Sequence, residues 1–353
     1  MAAKAGVSIA TVSRTINGNN KVETLTARRV REAAKSLGYQ PNTQARALVS
    51  GRSHMLGVMI SDITNPFFPE LIQSFEEIAV ANGYEIMIGS TSHDPRLIEG
   101  VIDRMLQRNV EGVAVMTFGV EASVLDRLAS RDVPLVFIDV APNAPGMAAL
   151  SVDYRFGIEQ AIQHLAVLGH RRIAFIAGPR TLQSAVLREN AFIEGTRQIG
   201  LKTPPEYIVR GTHTLEGGTK AMEELLRLPM PPTAVMCSND MTAIGVLHAA
   251  ADNGLRVPED VSVIGFDDVH IARYTIPPLT TIQMSCKTLA VSAFSALRAH
   301  AKGNVQSAPE RYEIPTQLIV RRSTAIPNGA LADLNTPLQR QALPSRRVKG
   351  SKS

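Results

Sequence analysis

Several things are scarce in this sequence, and each shortage excludes a class of protein. There are two cysteines, Cys237 and Cys286, far apart in the chain. They offer no disulfide framework and no multi-cysteine metal site, and read as lone buried thiols. The eight histidines show no metal-ligand spacing. His164 and His170 flank a helix end and read as surface or capping residues. Apolar runs stop early, as at 135–138 and 173–177, well short of the roughly 18–20 residues of a bilayer span. No apolar signal-peptide core stands at the N-terminus, so the expected home is the cytoplasm, with no membrane partner. No Walker A, GxSxG or HExxH motif occurs, and no GxGxxG follows a strand. No catalytic residue, cofactor or metal is expected.

What is present is a chain of 353 residues, 44% hydrophobic, long enough for two or three domains. Its net charge of +5 is unevenly spread. Residues 1–54 carry nine Lys and Arg against Glu23 and Glu32. Residues 328–353 carry five bases against Asp333, so the body between them is net acidic. A basic head on an acidic body suggests that the head meets a polyanion. The Pro-, Arg- and Ser-bearing tail 328–353 reads as disordered.

Residues 8–16 and 24–37 read as helices, capped by Ser8 and Thr24. Val12 and Ile16 share a face of the first; Val30, Ala33, Ala34 and Leu37 share a face of the second. Gly38 ends the second, and a short helical run, 42–49, leads into a Ser-Gly-Arg-Ser linker. Beyond residue 54, β-branched runs alternate with helical patterns. Strands are expected at 56–61, 84–89, 112–117, 134–139, 150–152, 172–177, 206–210, 233–237, 261–266, 279–283 and 316–321. Helices are expected at 67–82, 96–109, 122–131, 155–168, 187–199, 216–227, 241–253 and 286–301. Repeated βα units imply parallel sheets covered on both faces. About 270 residues are more than one comfortable core holds, which favours two α/β lobes.

Polar residues gather where strands end: Asp62, Asp139, Gly178, Asn239 with Asp240, and Asp267 with Asp268. Open parallel sheets bind ligands beyond these ends. Each residue has a second reading. Asn65 before Pro66 is a ready helix cap. Asn239 or Asp240 could cap the following helix, and Asp268 could stabilise a turn.

Residues 5–53, with GVSIATVSR, a following Asn-Gly and the GYQPN entry, resemble the DNA-binding head and hinge of the lactose-repressor (LacI/GalR) family. LGVMISDITNPFF, LGHRRIAFIAGP, PTAVMCSNDMTAIGVL, VSVIGFDD and PPLTTIQ resemble that family's effector body. The resemblance covers roughly 2–325. It implies a helix-turn-helix head (1–41), a hinge helix and linker (42–54) and a periplasmic-binding-protein-like type I body (55–327). The body's N-lobe would be about 55–153 plus 285–314, and its C-lobe 154–284 plus 315–327. Three crossings are expected, near 152–155, 283–286 and 313–317. A homodimer is implied, with an effector between the lobes controlling affinity for a pseudo-palindromic operator through the hinge helices.

By the same resemblance, Ile9, Ala10 and Arg14 reach base edges. Arg14 suits guanine O6/N7, and Ile9 and Ala10 suit thymine methyls. Ser8, Thr11, Ser13, Asn17, Thr26 and Tyr39 match phosphate-holding positions. Asn42, Ala45 and Leu48 belong to a hinge helix in the minor groove, with Leu48 as the wedge at a central step, expected to be CpG. Effector contacts map to Phe67, Phe68, Asp139, Arg188, Asn239 and Asp267, with Asp62, Ser184 and His213 as further candidates. Arg, Asn and two Asp suit a polyol, and an aromatic face suits a pyranose.

Purine-responsive relatives share the paired aromatics, whereas Asn239 is a feature of sugar responders, so a sugar effector is expected. His213 stands where sugar binders often carry an aromatic residue. Leu182 and Ser184 differ from the purine pocket's polar residues. The alternatives are a regulator responding to a purine or another small metabolite, or a solute-binding α/β protein or enzyme with a non-functional head. Pro337 and Pro344 interrupt the tail, which argues against a terminal coiled coil and hence a tetramer. The family's first helix begins about eight residues earlier, so a start upstream of Met1 is expected.

Overall fold

The computed structural model describes residues 1–16, 22–39, 52–92, 94–117, 127–128, 130–131, 133–138, 147–301 and 311–328. Asn17, Asn42, Ala45, Leu48, Asp139, the expected hinge helix and all but the first residue of the tail lie outside them. So does most of the helix expected at 122–131.

The head is a cluster of three helices, α1 (Ala2–Ala5), α2 (Ile9–Ile16) and α3 (Thr24–Ser36). Its small core joins Ala5, Val12, Val30 and Ala33. Gly6 ends α1 at φ +63°, a conformation that glycine adopts without strain. A Cβ there would also stand 2.6 Å from the Arg29 guanidinium, which donates to the Ala5 carbonyl. Ser8 caps α2, its Oγ accepting from Thr11 N at 3.2 Å. Thr24 does not cap α3. It is the first helical residue, preceded by Glu23 in extended backbone, so the helix starts without a side-chain cap. The end of α3 is closed instead by Tyr39 N–H bonding Ala34 O across Gly38. Leu37, expected on the packed face, is exposed at that end.

The first sheet runs β2 (Glu85–Ser90), β1 (Met55–Ile60), β3 (Val113–Met116), β4 (Leu135–Ile138), β5 (Met147–Val152), β11 (Arg311–Ile314), all parallel. The second runs β7 (Ile208–Arg210), β6 (Ile173–Ala177), β8 (Ala234–Cys237), β9 (Ser262–Asp267), β10 (Thr280–Met284), β12 (Thr316–Ile319). Only its edge strand β12 is antiparallel. The intervening helices are α4 (Phe67–Ala81), α5 (Pro95–Gln107), α6 (Tyr154–Val167), α7 (Gln183–Gln198), α8 (Leu215–Leu226), α9 (Asp240–Asp252) and α10 (Cys286–Ala301). The chain passes from one sheet to the other at 152–154, 284–286 and 314–316.

Some details depart from the sequence reading. The segment RYEI forms a strand, β11, that the periodicity did not mark; it is one short edge strand whose register is set by β5. The expected strand at 206–210 begins as a 3₁₀ turn, Pro205–Tyr207. α7 starts at Gln183, four residues early, because polar Gln183 and Ser184 open a helix whose apolar pattern begins later. His170 is neither surface nor cap. It is 1% exposed, with Nδ1 on Thr233 Oγ1 and Nε2 on the Ala325 carbonyl, both at 2.9 Å. Burial pushes its pKa down to about 4, so it is a neutral pin holding the C-terminal strap.

Ahead of β1 the linker is fastened to the first lobe. Arg52 donates to Glu111 at 2.9 Å and to Tyr84 Oη at 3.0 Å. Ser53 Oγ donates to Asn109 O, and His54 N–H to Glu111 Oε1 at 2.8 Å.

Candidate functional site

Both sheets follow the order 2-1-3-4-5, and the strand order reverses beside the first strand of each. Loops at the C-terminal ends diverge there and leave a crevice. Here the two crevices share one cleft, partly open to solvent. The first lobe contributes Ser61 and Asp62 after β1, Phe67 and Phe68 from α4, and Ile138 from β4. The second contributes Ser184 and Arg188 from α7, His213 after β7, Asn239 after β8 and Asp267 at the end of β9. Every described candidate for effector contact therefore lines one space. Tyr154, at the first crossing, was missed by the sequence reading. It lines the cleft too, and the only signal for it was its place directly after the crossing strand.

Arg188 is 5% exposed and fixed on several sides. Its guanidinium lies 3.8 Å above the Phe266 ring and 4.9 Å from Tyr154. It donates to the Ser238 carbonyl and, at 3.3 Å, to Asp267 Oδ1. Its Nε is buried with no hydrogen-bond partner among the described residues. Burial pushes the Asp267 carboxyl up to about 6, against the Arg188 charge that lowers it. A buried carboxylate and guanidinium in this geometry offer a polar ligand both acceptors and donors.

Backbone strain surrounds that pair. Asp267 and Asp268 both have positive φ, +112° and +56°, which non-glycine residues adopt at a cost. Three side chains hold the turn. Asp240 Oδ2 accepts from Val269 N–H at 2.9 Å, Gln283 donates to Asp268 at 2.7 Å, and Arg321 pairs with Asp268. Asp268 thus works as a turn anchor. Asp240 is fully buried, and burial with the nearby Asp267 charge holds its carboxyl well above the usual range.

Asn239 does two jobs at once. Its Oδ1 caps α9 by accepting from Thr242 N–H at 2.9 Å, and its Nδ2 donates to the His213 carbonyl at 3.1 Å. His213 sits at φ +62°, with Nε2 2.9 Å from Ser238 Oγ. The ring lies across Gly178, where a Cβ would come within 2.0 Å of Nε2. Asn65 Oδ1 accepts from the N–H of Phe67, the first residue of α4, at 3.1 Å. Asp62 accepts from the Thr64 N–H and hydroxyl. Phe67 and Phe68 meet edge to face, their centroids 5.4 Å apart.

In the head, Ser8, Ile9, Ala10, Ser13 and Arg14 are exposed and Thr11 is half-buried. Ile9 is 80% exposed, an apolar side chain at the start of α2 with nothing packed on it. On α3 Thr26 is half-buried, and Tyr39 beyond its end is exposed. No helix among the described residues is long and apolar enough to cross a membrane.

Residues 1–42 match the family model for bacterial regulatory proteins, lacI family, and residues 162–324 match the periplasmic binding protein-like domain. The HTH-type transcriptional repressor CytR of Escherichia coli strain K12 is 34% identical over 328 residues, 92% of this chain and 95% of its own. The chain belongs to the lacI family of bacterial regulatory proteins. A second lacI-type match is structural: the lac repressor dimer bound to operator and the anti-inducer ONPF. It superposes with a TM-score of 0.80 at 27% identity, over 92% of this chain and 97% of that one. The complex of the transcriptional regulator CelR with cellobiose gives 0.69 at 28% identity, over 91% and 98%.

Proposed function

We propose that this lacI-family chain is a cytoplasmic, homodimeric transcriptional repressor whose operator affinity is set by a sugar bound between the lobes. The cleft carries the reading: Arg188, Asp267 and Asn239 converge from the second lobe on a space walled by Phe67 and Phe68 from the first. Hydroxyls of a sugar would be read by the Asp267–Arg188 pair, and its C–H face would rest on the aromatics. The cellobiose complex of CelR supports the choice of ligand class.

Residues 1–41 form the reader, 42–54 the hinge and linker, and 55–327 the effector-binding and dimerising body. Arg14 and the bare Ile9 would meet base edges of a pseudo-palindrome, while Ser8, Thr11, Ser13, Thr26 and Tyr39 would hold phosphates. The lac repressor dimer on its operator supports both the symmetry and the partner. The exposed Ile271, Tyr274 and Ile276 in one loop of the second lobe supply apolar surface for a second copy.

The test is a thermal-shift screen of sugars and nucleobases on the full chain, followed by operator titrations with each hit. A sugar at about 1,000 times its Kd adds about 4 kcal/mol of stability and changes operator affinity. A response to a purine alone would replace the sugar with the alternative class. Turnover of a bound sugar would overturn the regulator reading.

A further inference from the structure

α4 does more than bring Phe67 and Phe68 to the cleft. Glu70, in the same turn, reaches across the gap between lobes. Its Oε1 accepts a 2.8 Å hydrogen bond from the backbone N–H of His270. His270 opens the 3₁₀ turn His270–Arg273, which follows β9 of the other sheet. The partners are 200 residues apart in sequence. Neither belongs to a segment where the chain crosses between sheets.

The second lobe's side of this contact is held by side-chain bonds. Asp267, Asp268, Val269 and His270 are consecutive. The turn they form is pinned by Asp240 on Val269 N–H and by Gln283 and Arg321 on Asp268. The carboxylate facing Arg188 and the N–H facing Glu70 therefore move as one body. Glu70 is close enough to Asp267 and Cys286 for its charge to raise both groups.

We propose that Glu70 is a positioning residue that latches the two lobes across the mouth of the cleft through the His270 N–H. The proposal rests on the cleft being the effector site. A ligand touching both Phe67 and Asp267 requires the spacing that the latch favours. Its apparent Kd therefore scales inversely with the latched fraction.

Amide hydrogen exchange on the full chain tests this with three variants. Glu70→Ala removes the acceptor. Glu70→Gln keeps an oxygen there. His270→Pro removes the donor at a first helical position, where proline fits and the preceding residue is already extended (ψ 147°). Expected are faster exchange, by about threefold or more, in 66–72, 180–184 and 212–214 for Glu70→Ala and His270→Pro, and near wild-type rates for Glu70→Gln. The Glu70→Ala, His270→Pro double variant should match the single ones, because both remove one bond.

Unchanged exchange at the cleft walls in the Ala and Pro variants, even with a lower denaturation midpoint, would overturn the latch. Fully additive effects would do the same. Cellobiose serves as the ligand probe, and its Kd should rise about fivefold in either single variant. If cellobiose and the other sugars fail to bind the wild type, the sugar reading falls, while the exchange comparison still decides the latch.

Discussion

Gly178→Ala isolates the packing of His213 in the cleft. The glycine backbone at 178 is not in the left-handed region, so alanine meets no φ penalty. Its Cβ would lie 2.0, 2.5 and 2.6 Å from Nε2, Cε1 and Cδ2 of His213. All three belong to the far end of a half-buried side chain beside the open cleft, so the ring can swing away. The ring must leave, and the 2.9 Å contact with Ser238 Oγ goes with it. That hydrogen bond is worth about 1 kcal/mol. Displacing a half-buried ring costs less than overpacking a closed core, about 0.5 kcal/mol, and the lost glycine entropy of the unfolded chain returns roughly 0.5 kcal/mol. The expected destabilisation is about 1 kcal/mol.

The same substitution in a His213→Ala background meets no ring, so only the entropy gain remains. There Gly178→Ala should be neutral or stabilise by about 0.5 kcal/mol. Urea unfolding of the four proteins gives the coupling energy directly. Equal effects of Gly178→Ala in both backgrounds would show that the ring does not occupy that space.

Two further outcomes are expected. Asp267 has a folded-state pKa of about 6 against about 3.9 when unfolded. The folded state therefore holds this proton more tightly, so the group favours folding below about pH 4 and that contribution, about 3 kcal/mol, is lost as pH rises through 6. Asp267→Asn should flatten that part of the urea-midpoint profile between pH 4 and 7, and an unaltered slope would contradict the burial argument. In the head, Arg14→Ala should cost about 1–3 kcal/mol at one guanine, relax that position in selections from random DNA, and lower the salt slope of binding only slightly. Retained preference at every base would remove Arg14 from the readers.

The architecture was legible because its signals are local. β-branched runs, helical periodicity and polar residues at strand ends together mark a two-lobed α/β body, and of those polar residues Asp62, Asn239 and Asp267 line one cleft, while Asp240 and Asp268 hold the turn behind it. What escaped depends on partners distant in sequence. His170 looked like a helix-end residue until Thr233 and Ala325 enclosed it. β11 is four residues whose strand identity comes from β5. Tyr154 enters the cleft only because the chain changes sheets just before it. Thr24 had the right chemistry for a cap and stands one residue too late. Asn239 is a cap, as one of its readings had it, and its other amide end donates to the His213 carbonyl at the cleft wall, a partner that the sequence did not suggest.

The fastening at residues 52–54 has a mechanical consequence. Arg52, Ser53 and His54 are tied to Glu111, Tyr84 and Asn109 on neighbouring loops of the first lobe. In a machine this would be a keyed shaft rather than a loose strap. A turn of the first lobe would carry residues 52–54 with it, because they are bonded to that lobe. Lengthening the chain ahead of residue 52 is then expected to change how much of that turn reaches the head. Removing Glu111 would loosen that joint, leaving Arg52 held by Tyr84 and Ser53 by Asn109, at a distance from the cleft residues.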